Sequence, residues 1–129
     1  MVTVLVVDDE PPVVELVRVT LEDEQVQVLA AGDGAGALDL AVALQPDLIL
    51  LDVNLPDVDG FEVCRRLRRH PRCAGVKVVM LTAAAQRDDI ARGLAAGADH
   101  YLTKPFSPVR LLTLVEELLP QSRLWARGA

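Results

Sequence analysis

Short apolar runs alternate with segments of helical period along the chain. The runs occupy residues 3–7, 26–30, 47–51, 76–81 and 101–103 and are rich in valine, leucine and isoleucine. Their composition and the turn signals beside them predict strands. Between the runs, Val13, Leu16, Val17 and Leu21 follow i, i+3, i+4, i+8 spacing, and Ala37, Leu38, Ala41 and Leu44 recur at helical spacing. A third helix is predicted after the turn-rich residues 56–60, with Phe61, Cys64 and Leu67 on one side and Arg65, Arg66, Arg68 and Arg69 on a solvated face, ending near His70-Pro71. A fourth spans 87–96 and stops at Gly97, and a fifth spans 108–119 and is closed by Pro120. Alternation of this kind predicts βα units around a parallel sheet, with five strands and five helices. The uninterrupted runs 3–7 and 47–51 suit central strands covered on both faces, whereas Gln27 inside 26–30 suits an edge.

Length and composition place this pattern in one domain. The 129 residues are 51% apolar, enough for a single core and too few for a second. A net charge of -6 argues against nucleic-acid binding by this segment, because phosphate contacts need a basic surface. Two cysteines, Cys64 and Cys73, form neither a disulfide framework nor a zinc motif, which suits a reducing, cytoplasmic setting. No apolar stretch reaches the roughly 18 residues of a membrane helix. Domain bounds of 1–119 for the folded unit and 120–129 for a tail follow, and the tail, with Arg123, Trp125 and Arg127, fits a frayed end, a linker or a docking segment alike.

Candidate chemistry sits where the runs end. Asp8 and Asp9, Asp52, Thr82 and Lys104 each follow or close a predicted strand, and in open α/β sheets ligands bind beyond the strands' carboxyl ends. Mg²⁺ prefers a few oxygen ligands and keeps several waters, so Asp8, Asp9 and Asp52 suit it. Adjacent carboxylates repel unless a cation offsets them, although one of Asp8 and Asp9 is also an expected N-cap for the helix at Pro12. Asp52 is a candidate nucleophile, with Lys104 as the ammonium and Thr82 as the hydroxyl partner in phosphoryl transfer. Taken singly, Thr82 is an ordinary strand-end threonine and Lys104 a solvated charge; their weight comes from the joint arrangement. Lys104-Pro105 is a candidate cis bond.

Four motifs in register carry a resemblance: Val-Asp-Asp-Glu at 7–10, Asp-Val-Asn-Leu-Pro-Asp-Val-Asp-Gly at 52–60, Leu-Thr-Ala at 81–83, and Gly-Ala-Asp-His-Tyr-Leu-Thr-Lys-Pro-Phe at 97–106. The chain resembles bacterial response-regulator receiver domains. The resemblance implies a single flavodoxin-like, doubly wound α/β domain with parallel strand order 2-1-3-4-5. It implies that Asp52 accepts phosphate from a sensor histidine kinase or phosphotransfer protein. Asp9 and Asp52 would hold Mg²⁺ (or Mn²⁺) directly, Asp8 through water, and the Asn54 backbone carbonyl would complete the set. Lys104 would pair with the acyl phosphate, and Thr82 and Tyr101 would switch the surface formed by the fourth helix, fifth strand and fifth helix. That surface would serve a downstream protein, a fused output domain or a phosphorylation-dependent dimer. No membrane partner and no turnover beyond self-phosphorylation and slow dephosphorylation are implied.

Some positions depart from relatives or compete with this reading. Asn54 and Ala84 lie where side chains tune the lifetime of the acyl phosphate. His100, and a fifth helix charged only at Glu116 and Glu117 from Leu111 onward, differ from members with winged-helix DNA-binding outputs. Gly32, Gly34 and Gly36 form no complete dinucleotide fingerprint and fit a turn into the second helix. An aspartyl-phosphate phosphohydrolase would place a second acid two residues after its nucleophile, where Asn54 stands. A phosphate-independent interaction module would not need the full set of polar residues.

Overall fold

The computed structural model describes residues 1–83 and 87–119. Ala84 and the 120–129 tail therefore lie outside the described residues. The elements are β1 (Val2–Val7), α1 (Pro11–Leu21), β2 (Val26–Ala31), α2 (Gly34–Leu44), β3 (Leu48–Asp52), α3 (Gly60–Arg69), β4 (Lys77–Thr82), α4 (Arg87–Ala95), β5 (His100–Thr103) and α5 (Pro108–Leu118). All neighbouring strands are parallel, in the expected order β2-β1-β3-β4-β5.

Side-chain alternation along the strands divides the core in two. Leu5, Val7, Ile49, Leu51, Val78 and Met80 face one side, where Ala37 and Ala41 of α2 and Phe61, Cys64 and Leu67 of α3 cover them. Val4, Val6, Leu48, Leu50, Val79, Leu81 and Leu102 face the other, against Val17 and Leu21 of α1 and Leu111, Leu114 and Val115 of α5. β3 is buried at every residue, and β2 at the edge exposes Gln27 and Ala30. Both placements match the apolar pattern.

Strand ends differ by one residue from the sequence expectation. Asp47 lies outside β3, because its carboxylate accepts the Thr3 N–H at 2.8 Å. Asp52 closes the strand instead, and the pairing runs one bond further, from Val53 N–H to the Leu81 carbonyl at 3.0 Å. The cap expected of Asp8 or Asp9 is also corrected. α1 begins at Pro11 after Glu10, which makes no side-chain cap bond, and Pro12 at the second position has no N–H for a cap to accept.

The solvated arginine face of α3 is corrected at Arg68. Its guanidinium crosses the amino end of the sheet and donates to the carbonyls of Gly97 (2.8 Å), Ala74 (3.2 Å) and Val76, and to Asp99 Oδ2 (2.9 Å). Asp99 Oδ2 also accepts the Val78 N–H at 2.8 Å. Gly97, at φ +102, turns the chain into this clasp, and a Cβ there would press on the Arg68 side chain at 2.7 Å. Arg65, Arg66 and Arg69 stay on the outer face and share Glu62.

Candidate acidic site at the carboxyl edge

Parallel register assembles the site. Val7 pairs with Leu51, Asp52 with Leu81, and Thr82 with Thr103, so the residues ending β1, β3, β4 and β5 meet along one edge. Asp8, Asp9 and Asp52 each present an oxygen within 4.8 Å of the others. Asp8 and Asp52 are 3% and 4% exposed, whereas Asp9 is open to solvent.

One ammonium serves these acids. Lys104 Nζ lies 2.7 Å from Asp8 Oδ2, 3.3 Å from Asp52 Oδ2 and 3.7 Å from Glu10 Oε1. The contact to Asp8 is an ion pair in distance, yet its angles fall short of a hydrogen bond, and Asp8 Oδ2 is buried with no aligned donor. The other oxygens are held locally: Asp8 Oδ1 accepts the Glu10 N–H at 2.9 Å and Asp52 Oδ1 accepts the Asn54 N–H at 3.0 Å. These two-residue turns fix each carboxylate to its own loop.

Electrostatics follow from this crowding. Burial pushes the Asp52 carboxyl above its ordinary value, Asp8 adds to the rise, and the Asn54 N–H and Lys104 oppose it. Burial pulls the Lys104 ammonium down, but the carboxylates of Asp8 and Asp52 outweigh it and leave its pKa raised. Among the described residues, four carboxylates (Asp8, Asp9, Glu10 and Asp52) thus gather around one cation. An all-oxygen donor set, an excess of negative charge and an oxygen without an aligned donor fit a hard divalent ion.

Thr82 and Tyr101 occupy the flank of the site. Thr82 is the buried last residue of β4, and its carbonyl accepts the Lys104 N–H at 2.7 Å. Both residues line a small cavity of about 10 Å³ with Val53, Met80, Ile90 and Gly93, between the sheet and α4. Tyr101 is half-buried and away from the acids, and His100 Nδ1 accepts the Tyr101 N–H at 2.9 Å. Lys104-Pro105 is cis. Gly34 and Gly36 belong to the first turn of α2, as the turn reading of the glycines expects.

Sequence reasoning missed one residue beside the site. Asp57, in the loop after β3, accepts the N–H groups of Gly34 (2.8 Å) and Ala35 (3.0 Å) at the start of α2. The run 56–60 signalled a turn without a partner, since a contact across 23 residues leaves no local trace.

Comparison with known proteins places the arrangement in context. The sequence model described as the response regulator receiver domain matches residues 4–116. The DNA-binding dual master transcriptional regulator RpaA of Synechocystis is 50% identical over 119 residues, 92% of this chain and 49% of that protein. The phosphate regulon transcriptional regulatory protein PhoB of Pseudomonas aeruginosa is 42% identical over 117 residues, 91% of this chain and 51% of that protein. The chemotaxis response regulator CheY4 of Vibrio cholerae superposes with a TM-score of 0.87 at 35% identity, covering 92% of this chain and 99% of that one.

The partner expectation is corrected by these relatives. Net acidity set nucleic acid aside, yet regulators named as DNA-binding are among the proteins most similar to this chain. The physical reason is one of scope: the charge was summed over 129 residues, and the chain spans about half the length of those relatives. His100 and the acidic end of α5 likewise describe this surface alone.

Proposed function

The chain belongs to the response regulator receiver domain family of two-component signalling, and from that premise we propose that Asp52 is its phosphoacceptor. In this reading an Asp52 oxygen attacks the phosphorus of a phosphohistidine on a sensor kinase or phosphotransfer protein. The P–N bond breaks, the imidazole nitrogen leaves with its electron pair, and an acyl phosphate remains on Asp52. Lys104 is positioned to neutralise a phosphoryl oxygen, and the Thr82 hydroxyl to donate to a second. Asp8, Asp9, Asp52 and the Asn54 carbonyl would hold Mg²⁺ (or Mn²⁺), which supplies charge neutralisation on the transferred group. The chain would accelerate its own phosphorylation and slow dephosphorylation and turn over no separate substrate.

Population shift gives the output. Phosphoryl contacts to Thr82 and Lys104 would favour one arrangement of the cavity that Thr82 shares with Tyr101, and so of α4, β5 and α5. Given the DNA-binding regulators among its relatives, the surface would control a DNA-acting portion of a longer protein, with 1–119 as the receiver and 120–129 leading from it. No helix among the described residues is long and apolar enough to cross a membrane, and a cytoplasmic setting belongs to this reading.

The observation that carries the proposal is Asp52 itself: nearly fully buried, raised in pKa, and 3.3 Å from the Lys104 ammonium. Incubation with a radiolabelled small-molecule phosphodonor and Mg²⁺ tests it. Stoichiometric labelling, absent in Asp52→Asn, is expected. Continuous turnover of the donor, or equal labelling of Asp52→Asn, overturns it.

A further inference from the structure

The loop that follows Asp52 carries the Asn54 carbonyl; Leu55 and Val58 pack it against the core, whereas Asn54, Pro56, Asp57 and Asp59 are exposed. Its two ends are fixed by backbone bonds, Val53 N–H to the Leu81 carbonyl and Gly60 N–H to the Val53 carbonyl. Near its far end Asp59 lies 3.9 Å from the Arg92 guanidinium of α4, and its middle has one polar anchor in another element among the described residues. That anchor is Asp57, whose Oδ1 accepts the Gly34 N–H at 2.8 Å and the Val58 N–H at 3.0 Å, while Oδ2 accepts the Ala35 N–H at 3.0 Å.

Three observations make this more than a helix cap. α2 already has an N-cap of its own, Asp33, which accepts the Gly36 N–H at 2.7 Å. Asp57 takes two further amides of the same first turn, a place where a carboxylate is stabilised by unpaired N–H groups and the helix dipole. Gly34 has no Cβ, and one built there would run into Val58 Cγ1 and lie 2.9 Å from Val63 Cγ2. The loop is therefore seated on α2 by a carboxylate on one side and by a missing side chain on the other.

The geometry points to Asp57 as a positioning residue: by pinning the middle of the loop to α2, it holds the Asn54 backbone in register with Asp8, Asp9 and Asp52. The inference rests on the metal set proposed above. Asp57 touches neither the ion nor the phosphoryl group and acts through the loop. Gly34, whose role in the sequence looked like that of a turn, gains a second function as the floor on which the loop sits.

Three variants of the full chain test this: Asp57→Ala, Asp57→Asn and Asp33→Ala. The last removes a cap from the same helix without touching the loop and so measures the structural effect alone. Calorimetric titration with Mg²⁺ should show affinity falling on the order of 10-fold in Asp57→Ala, the scale seen when groups supporting ligands are lost. Asp57→Asn, which keeps one acceptor, should recover part of it, and Asp33→Ala should bind as the native chain does. Amide hydrogen exchange without metal gives a second readout, with Asn54 and Val58 exchanging faster in Asp57→Ala than in Asp33→Ala. Equal exchange in those two variants overturns the inference, as does unchanged Mg²⁺ affinity in Asp57→Ala. Should the native chain take up no Mg²⁺, the proposed metal set falls, and exchange at Asn54 still decides whether Asp57 positions the loop.

Discussion

The two ends of the sheet are built from the same materials to opposite effect. At the amino end, Arg68 meets three carbonyls and Asp99, and Asp47 takes the Thr3 N–H, so donors and acceptors there are matched. At the carboxyl end, Asp8, Asp9, Glu10 and Asp52 crowd around Lys104, and a buried oxygen of Asp8 has no aligned donor. One end spends its charges on cohesion. The other leaves negative charge in excess, which is what a site for a cation and a transferred phosphoryl group requires.

The sharpest break in the comparison comes from Asp52→Asn. It should abolish labelling by a phosphodonor, yet leave the metal-free fold as stable or up to about 1 kcal/mol more stable, because a buried carboxylate repelled by Asp8 is gone. Thermal unfolding without divalent ions measures the second part, and a clear loss of stability would mean that the acids are cohesive after all. Arg68→Ala should do the reverse. Its bonds to the Gly97 and Val76 carbonyls are part-buried, and leaving these unpaired should cost on the order of 2 kcal/mol in chemical denaturation, while phosphorylation of the folded fraction stays at the native rate.

Smaller effects sharpen the electrostatic half. Asp52 should titrate above the ordinary 3.8, followed by carboxyl-carbon NMR in metal-free protein. Asp8→Asn should lower that midpoint, since a like charge leaves, and Lys104→Met should raise it further, since an opposing one does; the same midpoint in all three proteins would deny the coupling. The sign for stability follows. A carboxyl whose folded pKa is raised weakens the fold as pH climbs from its unfolded value through its folded value. Lys104, also raised, contributes stability that is present below 10.5 and lost as pH rises through the folded value. The smallest change is expected from Glu62→Gln, which releases Arg65, Arg66 and Arg69 on the exposed face of α3 and should leave the midpoint of urea unfolding close to the native one.

Legibility in the sequence followed the same division. The carboxyl end could be read because each polar residue there closes an apolar run, and strand order then brings residues 8, 52, 82 and 104 together. The strand bounds slipped by one residue at Asp47 and Asp52 because both are aspartates flanking the same aliphatic run, and what distinguishes them, the Thr3 N–H on Asp47 and the pairing of Asp52 with Leu81, is made far along the chain. Arg68 could not be told from Arg65, Arg66 and Arg69 by helical spacing, since its reach past the helix end to Gly97 depends on the turn after α4. Asp57 was hidden for the same reason, its partners being amides of a distant helix. Contacts made by side chains to backbone groups far along the chain leave no periodicity to find.

The position of β5 has a consequence for biosynthesis. Among the described residues it is an edge strand paired to β4 alone, and it is the last strand of this sheet in chain order. A nascent chain that has not yet reached His100 already contains Asp8, Asp9 and Asp52, the residues that repel one another, but lacks the ammonium that follows β5. The carboxyl edge is therefore completed only once the chain beyond β5 has been made, and a receiver cut short before it would carry its acids without the Lys104 ammonium.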